Sequence, residues 1–125
     1  MKTHVTTTPL EGPLVINIDF FQDERGFFIE SWNKKDFAAA GLAVEFVQDS
    51  HSRSGYKVLR GLHYQDMRAP IAKLVRCTVG CILDVPVDLR ITSPTFGKWF
   101  SIELNADNKT QLFVPVGFAH GFATL

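Results

Sequence analysis

Apolar residues recur along the chain in short runs, cut by glycine and proline at irregular intervals: Gly12-Pro13, Gly26, Gly41, Gly55, Gly61, Gly80, Pro94, Gly97, Pro115 and Gly117. Between these breaks lie LVINI (14–18), FFIES (27–31), VEFVQ (44–48), KLVRCTV (73–79), ILDVPVDL (82–89), KWFSIEL (98–104) and TQLFVPV (110–116). The runs are short and rich in β-branched and aromatic residues, so the pattern predicts many brief strands with frequent turns. Strands of this kind pack as a sandwich or barrel, and 11 phenylalanines supply the bulk that the space between two sheets requires. One helix is predicted: Asn33 caps it, KKDFAAA continues it, and Gly41 ends it in a left-handed conformation. Pro86 cannot donate a ladder hydrogen bond, which predicts that its strand lies at an edge or is kinked there. The expected fold is all-β, a single domain spanning residues 1–125.

One stretch breaks the pattern. VLRGLHYQ (58–65) crowds Arg60, His63, Tyr64 and Gln65 where a strand would build core. In a regular strand Arg60 and His63 would point to opposite faces, but Gly61 between them can mark a bulge that re-aims a side chain. Polar residues at inward positions of consecutive strands predict a barrel that holds a ligand rather than a filled core.

Charge narrows the ligand. Lys+Arg and Asp+Glu both number 13, so there is no basic field for nucleic acid and no basic amphipathic stretch for a membrane surface. A small anion remains, since a few local cations hold it. The opening MKTHVTTTPLEG lacks the apolar core of a secretory signal, and no apolar run approaches the roughly 20 residues that span a bilayer, so a cytoplasmic location is expected. Cys77 and Cys81 do not make a disulfide framework and are expected as buried thiols.

Four clusters carry candidate chemistry. In DERGFFIE, Asp23 to Gly26 form a turn; Arg25 offers a planar fork to a phosphate and Phe27 or Phe28 a face to a flat base, or the segment is a hairpin corner with solvated charges. In VQDSHSRS, Gln48 ends an apolar run, and Asp49, Ser50 and Ser52 suit a turn. The third cluster is Arg60 and His63 with Lys73 of the next apolar run. The fourth, VPVGFAHGF, contains Pro115-x-Gly117-x-x-His120, which resembles the second motif of the cupin superfamily. Metal-binding cupins pair it with His-x-His and a carboxylate, whereas this chain reads His63-Tyr64-Gln65, so no metal and no cofactor are expected. A neutral imidazole is a competent base, and an ammonium beside a carbonyl stabilises the oxyanion formed when an adjacent C–H is deprotonated. Base and cation together equip a site for proton abstraction next to a ketone, carried on a phosphate or diphosphate handle that arginines can bind.

The ordered series DERGFFIESW, FVQDS, VLRGLHYQ, AKLVRCTVG, DVPVDLR, SPTFGKW and LFVPVGFAHGFATL closely resembles the dTDP-4-dehydrorhamnose 3,5-epimerase family. The resemblance implies a cupin-like jelly-roll β-sandwich, a homodimer with exchanged N-terminal strands, and a dTDP-sugar substrate. It implies epimerisation of dTDP-4-dehydro-6-deoxy-D-glucose at carbons 3 and 5. By the same resemblance His63 is the catalytic base and Lys73 the group beside the 4-keto oxygen. Arg60 and His120 then line the substrate site, and Arg25, Glu30, Gln48 and Ser50 contact the nucleotide sugar, with Phe27 near the thymine. The chain departs from the family pattern at Ser50, where asparagine is usual, and at Ile71, where glutamine is common. Family members also continue beyond GFATL into the part that bears a proton-donating tyrosine and the aspartate partner of the base, which implies that the C-terminal part of the fold is missing here. The alternatives are a non-catalytic nucleotide-sugar binding module and a related single-carbon epimerase or ketoisomerase.

Overall fold

The computed structural model describes residues 1–125. Its strands are β1 (Thr3–Thr7), β2 (Leu14–Ile18), β3 (Phe21–Asp23), β4 (Gly26–Phe28), β5 (Leu59–His63), β6 (Lys73–Arg76), β7 (Cys81–Asp88), β8 (Ile102–Asn105), β9 (Gln111–Val114) and β10 (Phe118–Thr124), with one helix, α1 (Lys34–Ala39). Two four-stranded sheets, β1-β2-β9-β6 and β5-β10-β7-β8, make the body, and β3 and β4 form a separate hairpin. All pairings are antiparallel. This is the all-β architecture expected from the pattern of short apolar runs, in the cupin-like form that the family resemblance implies.

The first sheet is covered on both faces. On one side Leu112 and Val114 of β9, joined by Val15 and Val75, meet Ile82, Leu104 and Phe118 of the second sheet. On the other side Ile16, Ile18 and Phe113 pack against Phe37 of α1 and Leu42. Every residue of β9 is therefore buried, which explains an unbroken apolar run instead of alternation. A helix of six residues is marginal alone, so α1 depends on this packing and on its cap. The Asn33 side chain accepts the Asp36 N–H at 3.0 Å, and Gly41 takes φ 95°, as the sequence predicts.

Several expectations need correction. VEFVQ is not a strand: Val44 and Phe46 instead cover the second core, with the Phe46 ring edge-on to Trp32 at 5.7 Å and to Phe113 at 6.5 Å. FFIES pairs only as far as Phe28, and KWFSIEL joins the ladder at Ile102, apart from one bridge between Trp99 and Val87. Pro86 lies on an inner strand, between β10 and β8, not at an edge. It is accommodated where the β8 ladder lapses, between the Asp84–Ile102 pair and the Val87–Trp99 bridge, so no donor is demanded of it. The polar strand β1 escaped the apolar pattern; it pairs with β2 of the same chain from Thr3–Ile18 to Thr7–Leu14.

The alternation in β7 positions the site. Ile82, Asp84, Pro86 and Asp88 are buried between the sheets, while Leu83, Val85 and Val87 are half-buried on the outer face. Period two is obeyed, but the acidic phase points inward.

Candidate functional site

A bulge on β5 builds one wall. His63 pairs with His120 and Arg60 with Phe122, so Gly61 and Leu62 together oppose Gly121 alone. His120 and Phe122 are two apart on β10 and share a face; their partners, His63 and Arg60, must share it as well. Gly61, at φ 108°, takes up the conformation the extra residue requires. The same face continues onto β7, where His120 pairs with Pro86 and Phe122 with Asp84. Since Asp84 and Pro86 point between the sheets, the bulge turns Arg60 and His63 toward the interior side of the second sheet. On an edge strand they stay solvent-accessible at the mouth, whereas His120 is buried.

The opposite wall supplies the cation. Lys73 pairs with Val114 and Val75 with Leu112. Leu112 and Val114 belong to the core between the sheets, so Lys73 faces the second sheet too. Half-buried there, its ammonium is pushed below the ordinary lysine pKa by burial, and the negative charge of Asp84 opposes that shift. Lys73, Asp84, His120, His63 and Arg60 therefore all lie on the inner faces of the two sheets, and the space between those faces is the candidate cleft.

Sequence reasoning missed Asp84 and Asp88. Asp84 is fully buried and its Oδ1 lies 2.7 Å from Nε2 of His120. Asp88, also fully buried, accepts hydrogen bonds from the Arg90 N–H and Nε at 2.9 and 3.1 Å, from the Arg90 terminal nitrogen at 3.1 Å, and from Ser93 and Thr95 hydroxyls at 2.5 Å each. Burial pushes this carboxyl upward, but the bonds from Arg90, Ser93 and Thr95 outweigh it and hold the pKa well below the usual carboxylate range. The Arg90 guanidinium also donates to the Glu11 carbonyl and stacks 4.7 Å from the centre of the Phe118 ring. That network ties the SPTFGKW loop to the start of β10, two residues before His120. The signal for both acids was present in ILDVPVDL, where they stand in phase with Ile82.

The other expected contacts lie elsewhere in the chain. Arg25 is exposed and paired with Asp23 at 2.6 Å across the β3–β4 turn. Phe27 sits edge-on to Phe20 at 6.2 Å, under the Lys109 ammonium at 4.1 Å, and borders a shallow cleft with Arg76 and Gln111. Glu30 accepts from the Asn33 amide at 3.3 Å. Arg76 and Gln111 pair with each other and, through Gln111, with Ile16 of the helix-side core, so this cleft opens on the face of the first sheet away from His63. Gln48 donates to Ser50 at 3.1 Å in an exposed segment without regular structure. A tether joins the next part of that segment to the site: Arg60 donates to Ser54 at 2.7 Å and to the Arg53 carbonyl at 3.3 Å. Within one chain, then, the cleft gathers His63, Lys73, Arg60 and His120 but not Arg25, Phe27, Glu30, Gln48 or Ser50.

Residues 7–125 match the family model described as dTDP-4-dehydrorhamnose 3,5-epimerase. The chain belongs to this family. Among curated relatives, the dTDP-4-dehydrorhamnose 3,5-epimerase of Shigella flexneri is 54% identical over 123 residues, covering 98% of this chain and 68% of that protein. Among solved structures, the dTDP-6-deoxy-D-glucose-3,5-epimerase of Legionella pneumophila, in complex with dTDP-4-keto-L-rhamnose, superposes with a TM-score of 0.91 at 44% identity over 98% of this chain and 65% of its own. The dTDP-4-dehydrorhamnose 3,5-epimerase of Bacillus anthracis, with TDP and PPi bound, gives a TM-score of 0.92 at 45% identity over 98% of this chain and 71% of its own. The chain thus spans about two thirds of the length of these epimerases, and the cupin-like fold is the family's fold.

Proposed function

We propose that this chain, acting as one domain over residues 1–125, takes part in metal-independent epimerisation of dTDP-4-dehydro-6-deoxy-D-glucose at carbons 3 and 5 to dTDP-4-dehydro-L-rhamnose. His63 removes the proton next to the 4-keto group, and the electron pair moves onto the ketone oxygen as an enolate. Lys73, from the facing sheet, stabilises that oxyanion through its positive charge. His120 and Arg60 complete the wall that holds the sugar, and Arg60 offers its guanidinium to the diphosphate. A proton from water on the opposite face inverts the carbon, His63 returns its own proton to solvent, and repetition at the second position gives the product. The observation that carries the reading is that His63 and Lys73 sit on edge strands of two different sheets with both side chains on the inner faces.

The substrate follows by likeness to the Legionella protein and its bound dTDP-4-keto-L-rhamnose. Arg25, Phe27, Glu30, Gln48 and Ser50 are proposed nucleotide contacts, and for the hairpin residues a homodimer brings them to a neighbouring chain's cleft. The edge strand β1, the exposed Phe21, Phe27 and Phe28, and the apolar outer face of the second sheet support such pairing, with exchange of β1 as its form. The same reading puts the reaction in the cytoplasm; no helix is long and apolar enough to cross a membrane.

The test is solvent exchange. The chain incubated with the 4-keto sugar nucleotide in deuterium oxide is expected to label carbons 3 and 5, and His63→Ala to abolish labelling. Labelling that survives in His63→Ala overturns the assignment of the base. Binding of dTDP with no labelling selects the non-catalytic reading.

A further inference from the structure

Two carboxylates of β7 are fully buried, and the fold treats them differently. Both oxygens of Asp88 accept hydrogen bonds from Arg90, Ser93 or Thr95. Asp84 receives one, from His120 to Oδ1 at 2.7 Å, and its Oδ2 is buried without a partner. Buried polar atoms are rarely left so, and those that are mark strained or functional positions. Across the cleft stands Lys73, whose proton is held against burial by the charge of this same carboxylate. The other charged or titratable groups on the inner face of the second sheet are Asp88 of β7, held by Arg90, Ser93 and Thr95, His120 from β10, and Arg60 and His63 from β5. Arg76, on the strand of Lys73, projects from the opposite face beside Phe27 and Gln111.

We infer that Asp84 is a positioning residue for both walls of the cleft: Oδ1 fixes the His120 ring, and Oδ2 is the counter-ion position of the Lys73 ammonium. A carboxylate oxygen only accepts, so His120 carries its hydrogen on Nε2 and presents Nδ1 to the rest of the cleft. In this role Asp84 acts through His120, which it holds, and through the charge it presents to Lys73. The inference rests on the epimerase reading only in giving Lys73 a use, namely to be charged when the enolate forms.

The experiment uses the full chain with labelled lysine and histidine, Lys73 being assigned by its loss in Lys73→Met. Asp84→Asn keeps the volume of the side chain and removes its charge. In this variant the Lys73 titration midpoint, read from its Cε resonance, is expected to fall by about one pH unit. The His120 ring nitrogens are expected to lose the single Nε2–H pattern, because an amide can donate as well as accept. Asp84→Glu is expected to restore the lysine midpoint. An unmoved Lys73 midpoint in folded Asp84→Asn overturns the inference, as does an Nδ1–H tautomer of His120 in the parent chain. Should Asp84→Asn fail to fold, the pair Lys73→Met with Asp84→Asn is expected to refold, since the cation left without its counter-charge is gone; a double variant that stays unfolded overturns the inference. No step needs turnover, so a failed epimerase assay and a failed positioning test are separate results.

Discussion

Gly61 and Gly121 meet backbone to backbone: a Cβ on Gly61 would come within 2.8 Å of the Gly121 Cα, and one on Gly121 within 2.6 Å of the Arg60 carbonyl oxygen. Their contact lets β5 bulge while still pairing with β10, and the bulge is what turns Arg60 and His63 to one face. Gly121→Ala is therefore expected to push β5 off β10. A loss of about 2 kcal/mol in denaturant unfolding is expected for the overpacked site. Deuterium exchange into the sugar should fall further than the fraction folded, since the base itself is displaced. An alanine variant with unchanged stability would contradict the close approach.

Lys73 sets an alkaline limit. Burial lowers its pKa and Asp84 opposes the change, so the ammonium loses its proton below the ordinary lysine value of about 10.4. Rising pH then removes the charge that stabilises the enolate, and exchange slows along a limb below that value. Lys73→Arg is expected to abolish the limb within the measurable range, and Lys73→Met to slow exchange by about 100-fold at neutral pH, the scale of losing one oxyanion stabiliser.

Asp88 links the fold to acid. Its folded pKa is held below that of the unfolded chain, so between the two values the unfolded state binds more protons and stability rises with pH. The contribution is fully present above the unfolded carboxylate value of about 3.9 and drains away as pH falls below it, toward the depressed folded value. Asp88→Asn should flatten the acid limb of a melting-temperature profile below about pH 4 and cost about 2 kcal/mol at neutral pH. The Ser93–Thr95 loop should loosen with it, visible as faster amide exchange.

The helix depends on one ring and one cap. Phe37 is 1% exposed and anchors α1 on the first sheet, so Phe37→Ala is expected to cost about 4 kcal/mol. Asn33→Ala removes the bond to the Asp36 N–H and should cost about 1 kcal/mol. If both changes were equally mild, α1 would not be held by the core described.

Much of this was legible in the sequence because local rules governed it. LVINI became β2 with its ends unchanged, and Asn33 and Gly41 bounded α1 as their chemistry requires. VEFVQ failed because its apolar residues answer to Trp32 and Phe113, a tertiary demand that no five-residue window contains. The phase of β7 was not assigned from sequence for a related reason: alternation alone gives acids to solvent, whereas here His120, Arg90, Ser93 and Thr95 satisfy them inside. In the site, His63 and Arg60 stood out as polar residues on a strand, and Gly61 announced the bulge that reconciles them. Asp84 needed the third dimension, because its partner is 36 residues away on the neighbouring strand.

Strand β9 has no free side, since Leu112 and Val114 serve the cleft-side layer while Phe113 serves the layer under α1. It acts as a party wall: a disturbance in either room loosens plaster in the other. Its amides should exchange only when the whole molecule opens, and a sugar nucleotide clamped beside Lys73 should quieten the helix on the far side, a mechanical coupling carried by three neighbouring side chains.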